Sequence, residues 1–305
     1  MICPEWLVTS SRVFSLTVSI TCATVYIAIF IFACRLFKKF HLFFVIFYMA
    51  MILTRLWALS MRATGYFLIL FREEGVPIQI NDVLWIAKFS AQAAALGCIL
   101  ERSYATLFAK NYENSKRFNF VVVCVLTCSI CSGLTYASSY SSDIGRKIHS
   151  FCYGVFCVVT TTMLIIINRR LVKNSPSSKC KLSERYQLTE NIKALRLLMP
   201  FVFSLTGNAI ILSAGFIFFE VDTVFDLPEC RSVPSYLPVF YSILISTTIL
   251  NLAAPLYVLY QNRKTLQNRR IGVAEIRNVL GVNIVGDGVV EDKEQYFQQY
   301  KTQWA

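Results

Sequence analysis

Long apolar runs alternate with short charged segments along most of this sequence. A helix needs about 20 consecutive apolar residues to cross the hydrocarbon core of a bilayer. Seven runs reach that length, and they cover approximately residues 13–34, 42–69, 83–108, 118–138, 149–168, 197–219 and 236–260. The pattern predicts an all-α fold, a bundle of seven transmembrane helices within 1–260, followed by a tail at 261–305.

The composition supports a membrane protein. Hydrophobic residues make up 55% of the 305 residues and charged residues 16%, whereas about a quarter of a soluble protein is charged. A soluble fold of this size could not bury so much apolar surface, so the excess must face lipid. The net charge of +12 lies mostly between the predicted spans, so it indicates membrane orientation, and we expect no nucleic-acid partner.

The distribution of basic residues predicts the orientation. If the amino terminus is outside, 21 of the 30 lysines and arginines fall in inside segments or in the tail, and five fall in outside segments. Cytosolic loops carry such an excess of Lys and Arg. We therefore expect an extracellular amino terminus and a cytosolic carboxyl terminus. The five basic residues assigned to outside segments are Arg12, Arg72, Arg146, Lys147 and Arg231.

Histidine and cysteine usage argues against a metal site. The two histidines, His41 and His149, both lie near span ends, and catalytic zinc sites need several such ligands. Cys128 and Cys131 are separated by two residues, but they share one face of an apolar helix. We therefore expect no metal, no cofactor and no enzymatic activity.

Most of the eleven cysteines lie inside apolar runs, where thiols behave as small hydrophobic groups. Cys3, Cys152 and Cys230 are the candidates for one external disulfide, and the sequence leaves the pairing open.

Charged side chains inside a span cost about 2.5–3.5 kcal/mol each on insertion scales, so each needs an explanation. The spans contain Arg55, Arg62, Lys88, Glu101 and Arg102. Glu101 and Arg102 fall near the cytosolic end of the third span. An acid–arginine pair there suits a switch that holds neighbouring helices at rest and turns toward a cytosolic partner when active. The alternative is a pair of interfacial residues that extend to the headgroups.

The remaining intramembrane cations suggest a ligand site. Arg62 falls near the outer surface of the predicted bundle, Lys88 about one turn inside the outer end of the third span, and Arg55 about 10 Å deeper than Arg62. If the three converge on a cavity, they would favour an anionic or carbonyl-bearing ligand. The alternative is that Arg62 and Lys88 extend to the membrane surface and that only Arg55 needs a buried partner. Further candidates for the cavity lining, each of which can equally be a packing residue, are Trp85, Gln92, Asn208 and Tyr241.

Two prolines predict flexible points. Pro200 lies near the start of the sixth span and Pro255 near the end of the seventh, with Asn251 one turn before it. Proline removes a backbone hydrogen bond and permits a kink, so these residues are candidate hinges for a gating motion.

Two motifs indicate a family. The stretch from Glu101 to Thr106 has the sequence ERSYAT, and residues 182–192 have the sequence LSERYQLTENI. In this order, at the inner end of the third span and before the sixth, they resemble the nematode serpentine chemoreceptors of class epsilon, the Sre family. The resemblance covers both motifs and the seven-span layout, and therefore most of residues 1–260.

The resemblance implies a G-protein-coupled chemosensory receptor for small molecules, in the plasma membrane of sensory neurons. Glu101 and Arg102 would then occupy the place of the acid–arginine pair of rhodopsin-like receptors. Residues 185–191 would extend the sixth span into the cytosol, where a heterotrimeric G protein docks. The implied coupling residues in this segment are Arg185, Tyr186, Glu190 and Asn191.

The alternative function is a ligand-gated ion channel of seven spans. The seven-span insect odorant receptors place the amino terminus inside, which the distribution of basic residues opposes. The chain also departs from rhodopsin-like receptors, because Asn251 and Pro255 are four residues apart and residues 81–89 contain no cysteine.

Overall fold

The computed structural model describes residues 5–34, 40–72, 78–108, 123, 130, 143–174, 182–221, 225, 230, 233 and 235–270. Over these residues the chain forms long α-helices and no β-strand. The helices are α1 (Glu5–Cys34), α2 (Leu42–Arg72), α3 (Ile78–Leu107), α4 (Asp143–Asn174), α5 (Leu182–Phe219) and α6 (Tyr236–Arg270).

Each of the six described helices contains a stretch long and apolar enough to cross a membrane. Helices α1 to α3 coincide with the first three predicted spans, and α4 to α6 with the fifth, sixth and seventh. The predicted fourth span, residues 118–138, lies outside the described residues except for Val123 and Ile130, which are helical and exposed. The apolar pattern therefore located six helices correctly, and the seventh stays a prediction.

Helix α5 begins at Leu182, well before the apolar run at residue 197. Its first part is amphipathic, because Leu188, Ile192 and Leu195 are buried whereas Lys193 is exposed. Apolar residues at three- and four-residue spacing place one stripe against the bundle. A polar sequence thus remains helical through packing on one face.

The helices pack in an order that surrounds α3. Helix α1 packs on α2, α2 on α3, and α3 on both α4 and α5, while α4 packs along α5. The centre of the bundle is aromatic: the ring of Phe201 on α5 makes edge contacts with Tyr48 on α2, at 5.6 Å, and Tyr26 on α1, at 6.4 Å. Such tilted pairs add about 0.5–1.5 kcal/mol beyond the area that they bury.

Hydroxyl groups on the outer faces of the helices bond to their own backbone. Thr17 donates to the carbonyl of Val13, and Thr21 to that of Thr17, each at 2.9 Å. An unsatisfied polar group costs several kcal/mol in hydrocarbon, so these bonds allow an exposed threonine to face lipid.

Helices α2 and α3 approach closely at Gly97. A Cβ atom at this position would lie 2.5 Å from the ring of Phe47, well inside van der Waals contact. A small residue here lets the aromatic side chain pack directly on the α3 backbone, as is common between membrane helices.

The chain divides into two compact units, residues 1–260 and 261–305. In the second unit, α6 continues to Arg270, and residues 271–305 lie outside the described part. Cys230 is disulfide-bonded, whereas Cys152 carries a free thiol. Cys152 is therefore not a disulfide partner, and the remaining candidate, Cys3, lies outside the described residues.

Candidate functional site

Arg102 is the largest almost completely buried side chain in the described part of the chain, with 1% of its surface exposed. Its Nε and Nη2 atoms donate to the carboxylate of the preceding residue, Glu101, which is 2% exposed. A two-point guanidinium–carboxylate pair is among the stronger hydrogen-bonded contacts in proteins. The carboxylate of Glu101 compensates the guanidinium charge, so the buried pair on α3 carries no net charge.

Arg102 also joins α3 to two other helices. Its Nη1 atom donates to the Oδ1 atom of Asn191 on α5 at 2.9 Å. The guanidinium carbon lies 5.0 Å from the ring centre of Phe44 on α2, within the range of a cation–π contact. One buried side chain therefore links α2, α3 and α5.

Two carboxylates meet at the start of α2. Glu101 lies 3.3 Å from the Nδ1 atom of His41, an ion-pair distance when the imidazole is protonated. Glu190 on α5 accepts a hydrogen bond from the backbone of His41 and lies in the electrostatic field of Arg102. His41 thus connects the beginning of α2 to α3 and α5.

A chain of neutral hydrogen bonds brings α4 into the same site. The Nδ2 atom of Asn168 on α4 donates to the hydroxyl of Thr106 at 2.9 Å, and that hydroxyl donates to the carbonyl of Arg102 at 2.8 Å. Asn168 is completely buried. We call these residues the Arg102 cluster: His41, Glu101, Arg102, Thr106, Asn168, Glu190 and Asn191.

Helix α5 is fastened to α6 on the other side of Pro200. Ser204 donates to the carbonyl of Leu250 at 2.9 Å, and Asn208 donates from Nδ2 to the Oδ1 atom of Asn251 at 2.8 Å. Pro200 and Pro255 lie within α5 and α6. The proline of α5 therefore separates a segment bonded to Arg102 from a segment bonded to α6.

Polar residues also connect α3 to α4 farther from Arg102. Gln92 donates to the hydroxyl of Ser150 at 2.7 Å, and its backbone carbonyl accepts from the hydroxyl of Tyr153 at 2.8 Å. His149 stacks on the ring of Tyr153 at 6.2 Å. Gln92 is thus held between two helices by specific hydrogen bonds.

The predicted ligand-binding cations take separate positions. Arg55 is half-buried on α2 and lies within electrostatic range of Tyr26 on α1. Arg62 lies over the ring of Tyr66 at 5.8 Å. The Nζ atom of Lys88 lies 4.4 Å from the ring centre of Trp85, on the same helix.

Tyr241 belongs to a contact between α6 and α1. Its hydroxyl lies 2.6 Å from that of Ser11, and its ring lies 6.1 Å from that of Phe14. The hydroxyl bond pairs two polar groups, so it permits both helices to bury them.

A buried lysine lies where the charge pattern assigned an outside segment. Lys147 is in α4 and is 1% exposed, and its Nζ atom lies 3.1 Å from the ring centre of Phe216 on α5. Its backbone carbonyl accepts a hydrogen bond from Ser213 at 3.2 Å. The assignment to a loop was wrong because α4 begins before the apolar run does.

The family model of the Sre G protein-coupled chemoreceptors matches residues 82–305. The chain belongs to this family. The matched region contains every residue of the Arg102 cluster except His41. Sre proteins form a receptor family rather than an enzyme family, and the match gives no support to the ion-channel alternative.

A curated protein is also similar to this Sre-family chain. Serpentine receptor class alpha/beta-14 of Caenorhabditis elegans is 27% identical over an alignment 197 residues long, and the alignment covers 56% of this chain and 49% of the relative. The aligned part of the chain therefore spans about half the length of that relative. The relative is named a serpentine receptor, and the family assignment of this chain rests on the Sre family model.

The site of this Sre receptor contains residues that the motifs identified and residues that they did not. Glu190 and Asn191, from the second motif, lie next to Glu101 and Arg102, from the first. Arg185 and Tyr186 are in the first turns of α5, and their side chains lie outside the described part.

Sequence reasoning missed His41 and Asn168. Asn168 is an amide at the end of an otherwise apolar run, and a polar group there needs a partner. That signal was available. The sequence contains no comparable signal for His41. Its contacts depend on which helices meet at the start of α2, and the sequence does not show that.

Proposed function

We propose that this Sre-family protein is a chemosensory receptor of the plasma membrane, in sensory neurons, that detects a small molecule and activates a heterotrimeric G protein. The observation that carries the proposal is the buried guanidinium of Arg102, held by Glu101 on its own helix and by Asn191 on α5. A charge buried in this way, between helices that can separate, suits a two-state switch.

The orientation places the Arg102 cluster at the cytosolic face. With seven spans and an extracellular amino terminus, the excess of basic residues lies on the cytosolic side, as the positive-inside rule requires. The end of α3 and the start of α5 then both face the cytosol. This is the side on which a G protein binds.

In the resting state, Arg102 fastens the first part of α5 to α3. Pro200 has no backbone N–H to donate to the carbonyl of Arg196, so α5 is weakest at this point. The part of α5 beyond Pro200 is held to α6 through Ser204 and Asn208. Activation swings the first part of α5 about Pro200 and breaks the bond between Arg102 and Asn191.

The swing exposes a surface for the G protein. It frees Arg102 and uncovers the face of α5 that carries Glu190 and Asn191, together with Arg185 and Tyr186 one turn or more before them. These are the coupling residues of the proposal. The exposed polar and basic surface then docks the carboxyl-terminal helix of the G protein.

The ligand is an anionic or carbonyl-bearing small molecule that binds in the extracellular half of the bundle. Arg55 supports this choice because it is half-buried and its described neighbour is a tyrosine rather than a carboxylate. Lys88 beside Trp85 provides a second cation with an aromatic surface. Gln92, Asn208 and Tyr241 are the further candidate ligand contacts of the proposal, and in the structure each bonds to a neighbouring helix.

Signalling in cells tests the function. The chain is expressed with a promiscuous G protein, surface delivery is measured, and small carboxylates, aldehydes and ketones are screened. We expect Arg102→Ala to reduce the ligand-evoked increase in signalling by about tenfold at equal surface level, because the freed guanidinium is the proposed contact with the G protein in the active state and a charged hydrogen bond contributes about 1.5–3 kcal/mol. Ser103→Ala is the matched control, because its hydroxyl bonds only to the carbonyl of Ile99 on its own helix.

Two results would contradict the proposed function. A ligand-evoked current that persists when G proteins are blocked indicates a channel. Equal responses from Arg102→Ala and Ser103→Ala would remove the switch role of Arg102.

A further inference from the structure

Basic side chains gather where α4 ends and α5 begins. Arg196 on α5 lies within electrostatic range of Arg169 on α4 and of Tyr257 on α6. All three side chains are exposed. Further exposed basic residues on the same two helices are Arg170, Lys173 and Lys193.

No described carboxylate pairs with this group. The described carboxylates at this end of the bundle are Glu101 and Glu190, and both face the Arg102 cluster. Neither Arg169 nor Arg196 forms an ion pair with any side chain that the structure describes. Arg169 and Arg196 lie exposed on two helices that pack along each other, so their like charges repel, and a bound anion would relieve that repulsion.

The surface around the two arginines faces lipid. Phe203, two turns after Arg196 on α5, is exposed, and so are Ile166 and Ile167, just before Arg169 on α4. Tyr257 and Tyr260 on α6 are also exposed. Tyrosine is enriched at the level of lipid headgroups, so we assign the two arginines to the boundary between hydrocarbon and headgroups.

We propose that Arg169 and Arg196 together bind the headgroup of a polyanionic phospholipid, a phosphoinositide, in the leaflet at this end of the bundle. The placement in the cytosolic leaflet rests on the orientation in the proposed function. Arginine binds phosphate through two parallel N–H donors, and two arginines from different helices can hold separate phosphates of one headgroup. Lys173 and Lys193 strengthen the general attraction to anionic lipid.

The proposed lipid site lies one turn from Pro200, the proposed pivot of α5. The carbonyl of Arg196 is the one that Pro200 leaves without a helix donor. A headgroup that bridges Arg169 and Arg196 therefore links α4 to α5 at the proposed pivot.

Lipid binding to the purified full chain tests this inference. The receptor is reconstituted in nanodiscs of phosphatidylcholine, and binding of a fluorescent phosphatidylinositol bisphosphate is compared with that of phosphatidylserine at matched total charge. We expect a preference for the phosphoinositide, and we expect the double variant Arg169→Gln, Arg196→Gln to weaken its binding by about tenfold. The variant's helical content and elution volume show that it is folded.

The matched control removes the same charge from the same helices. Arg170→Gln with Lys193→Gln takes one cation from α4 and one from α5 but keeps Arg169 and Arg196. Equal losses in the two double variants, or no preference over phosphatidylserine, overturn the proposal in favour of general attraction. Equal affinity for soluble inositol trisphosphate overturns the lipid as the source of the headgroup.

The assay needs neither a ligand nor a G protein, and a nanodisc presents lipid to both ends of the bundle. A failure of lipid binding is therefore distinct from a failure of the receptor function, and it does not depend on the orientation.

Discussion

Single residues determine how α3 and α5 are held together. Arg102 is 1% exposed and bonds to Glu101 and Asn191. Breaking one side of a buried ion pair costs about 3–5 kcal/mol, because an uncompensated charge stays buried. Asn191 is a neutral partner, so its removal weakens the site without leaving a bare carboxylate.

We expect Asn191→Leu to raise basal signalling several-fold. The substitution removes the bond from the Arg102 Nη1 atom, and a hydrogen bond to a charged group contributes about 1.5–3 kcal/mol. The resting arrangement loses that energy, whereas the active arrangement, in which the bond is broken, does not. Basal second-messenger level per surface receptor is the measurement.

Lys193→Leu is the control for Asn191→Leu, because Lys193 lies on the same helix and is exposed. An unchanged basal level in Asn191→Leu at normal surface expression would show that the Arg102–Asn191 bond does not hold the resting state.

Arg55 gives a second prediction for single residues. Arg55→Gln should abolish the response to anionic ligands, whereas Arg55→Lys should retain part of it, because the charge remains but the paired donors do not. Dose–response curves over a series of carboxylates and neutral isosteres measure the effect. Arg62→Gln is the control, since Arg62 lies over Tyr66 in the same helix; equal losses from Arg55→Gln and Arg62→Gln would contradict a specific site.

Helix α5 combines two functions within one element. Its first part packs through Leu188, Ile192 and Leu195 and bonds to Arg102, and its later part bonds to α6. Pro200 lies between them, next to Phe201 in the aromatic centre of the bundle. An element divided in this way can move at one end while the other end stays in place.

Pro200→Ala should reduce ligand-evoked signalling and leave thermal stability equal or higher. Alanine restores the donor to the carbonyl of Arg196 and is the best helix former, so the helix resists bending. The maximal response and the melting temperature of the purified protein are the two measurements. Met199→Ala is the neighbouring control; a full response from Pro200→Ala would exclude this proline as the pivot.

At the scale of the whole molecule, a lipid environment explains which side chains the helices expose. Each described helix exposes apolar side chains, and exposed hydroxyls such as those of Thr17 and Thr21 bond to the backbone of their own helix. The basic residues then decide which end faces the cytosol. In the orientation that we propose, the Arg102 cluster, Arg169 and Arg196 lie at the cytosolic end of the bundle.

An amino-terminal epitope tag should be accessible to antibody on intact cells, and a carboxyl-terminal tag only after permeabilisation. This result follows from an odd number of spans with the amino terminus outside. A second cytosolic protein in the same cells controls for leakage. Two tags on the same side would exclude seven spans, and a reversed result would place the Arg102 cluster outside.

The sequence predicted the helices well because a bilayer imposes a minimum apolar length on every span. The apolar runs that match α1 to α6 could be recognised without any knowledge of packing. The Glu101–Arg102 pair could also be identified, because a charge in an apolar run is costly wherever it lies. The boundary of α5 was predicted less well from hydropathy, since its first part is held by packing on one face.

Sequence alone determined that this chain is a helical membrane protein and that its two motifs belong to the Sre receptors, because both depend on local chemistry. Only the tertiary structure decided that Asn191, Asn168 and His41 surround the Glu101–Arg102 pair and that Lys147 lies buried against Phe216. Each of these contacts joins residues far apart in the chain. Their proximity depends on the relative rotation and depth of whole helices, which side-chain packing sets and hydropathy does not.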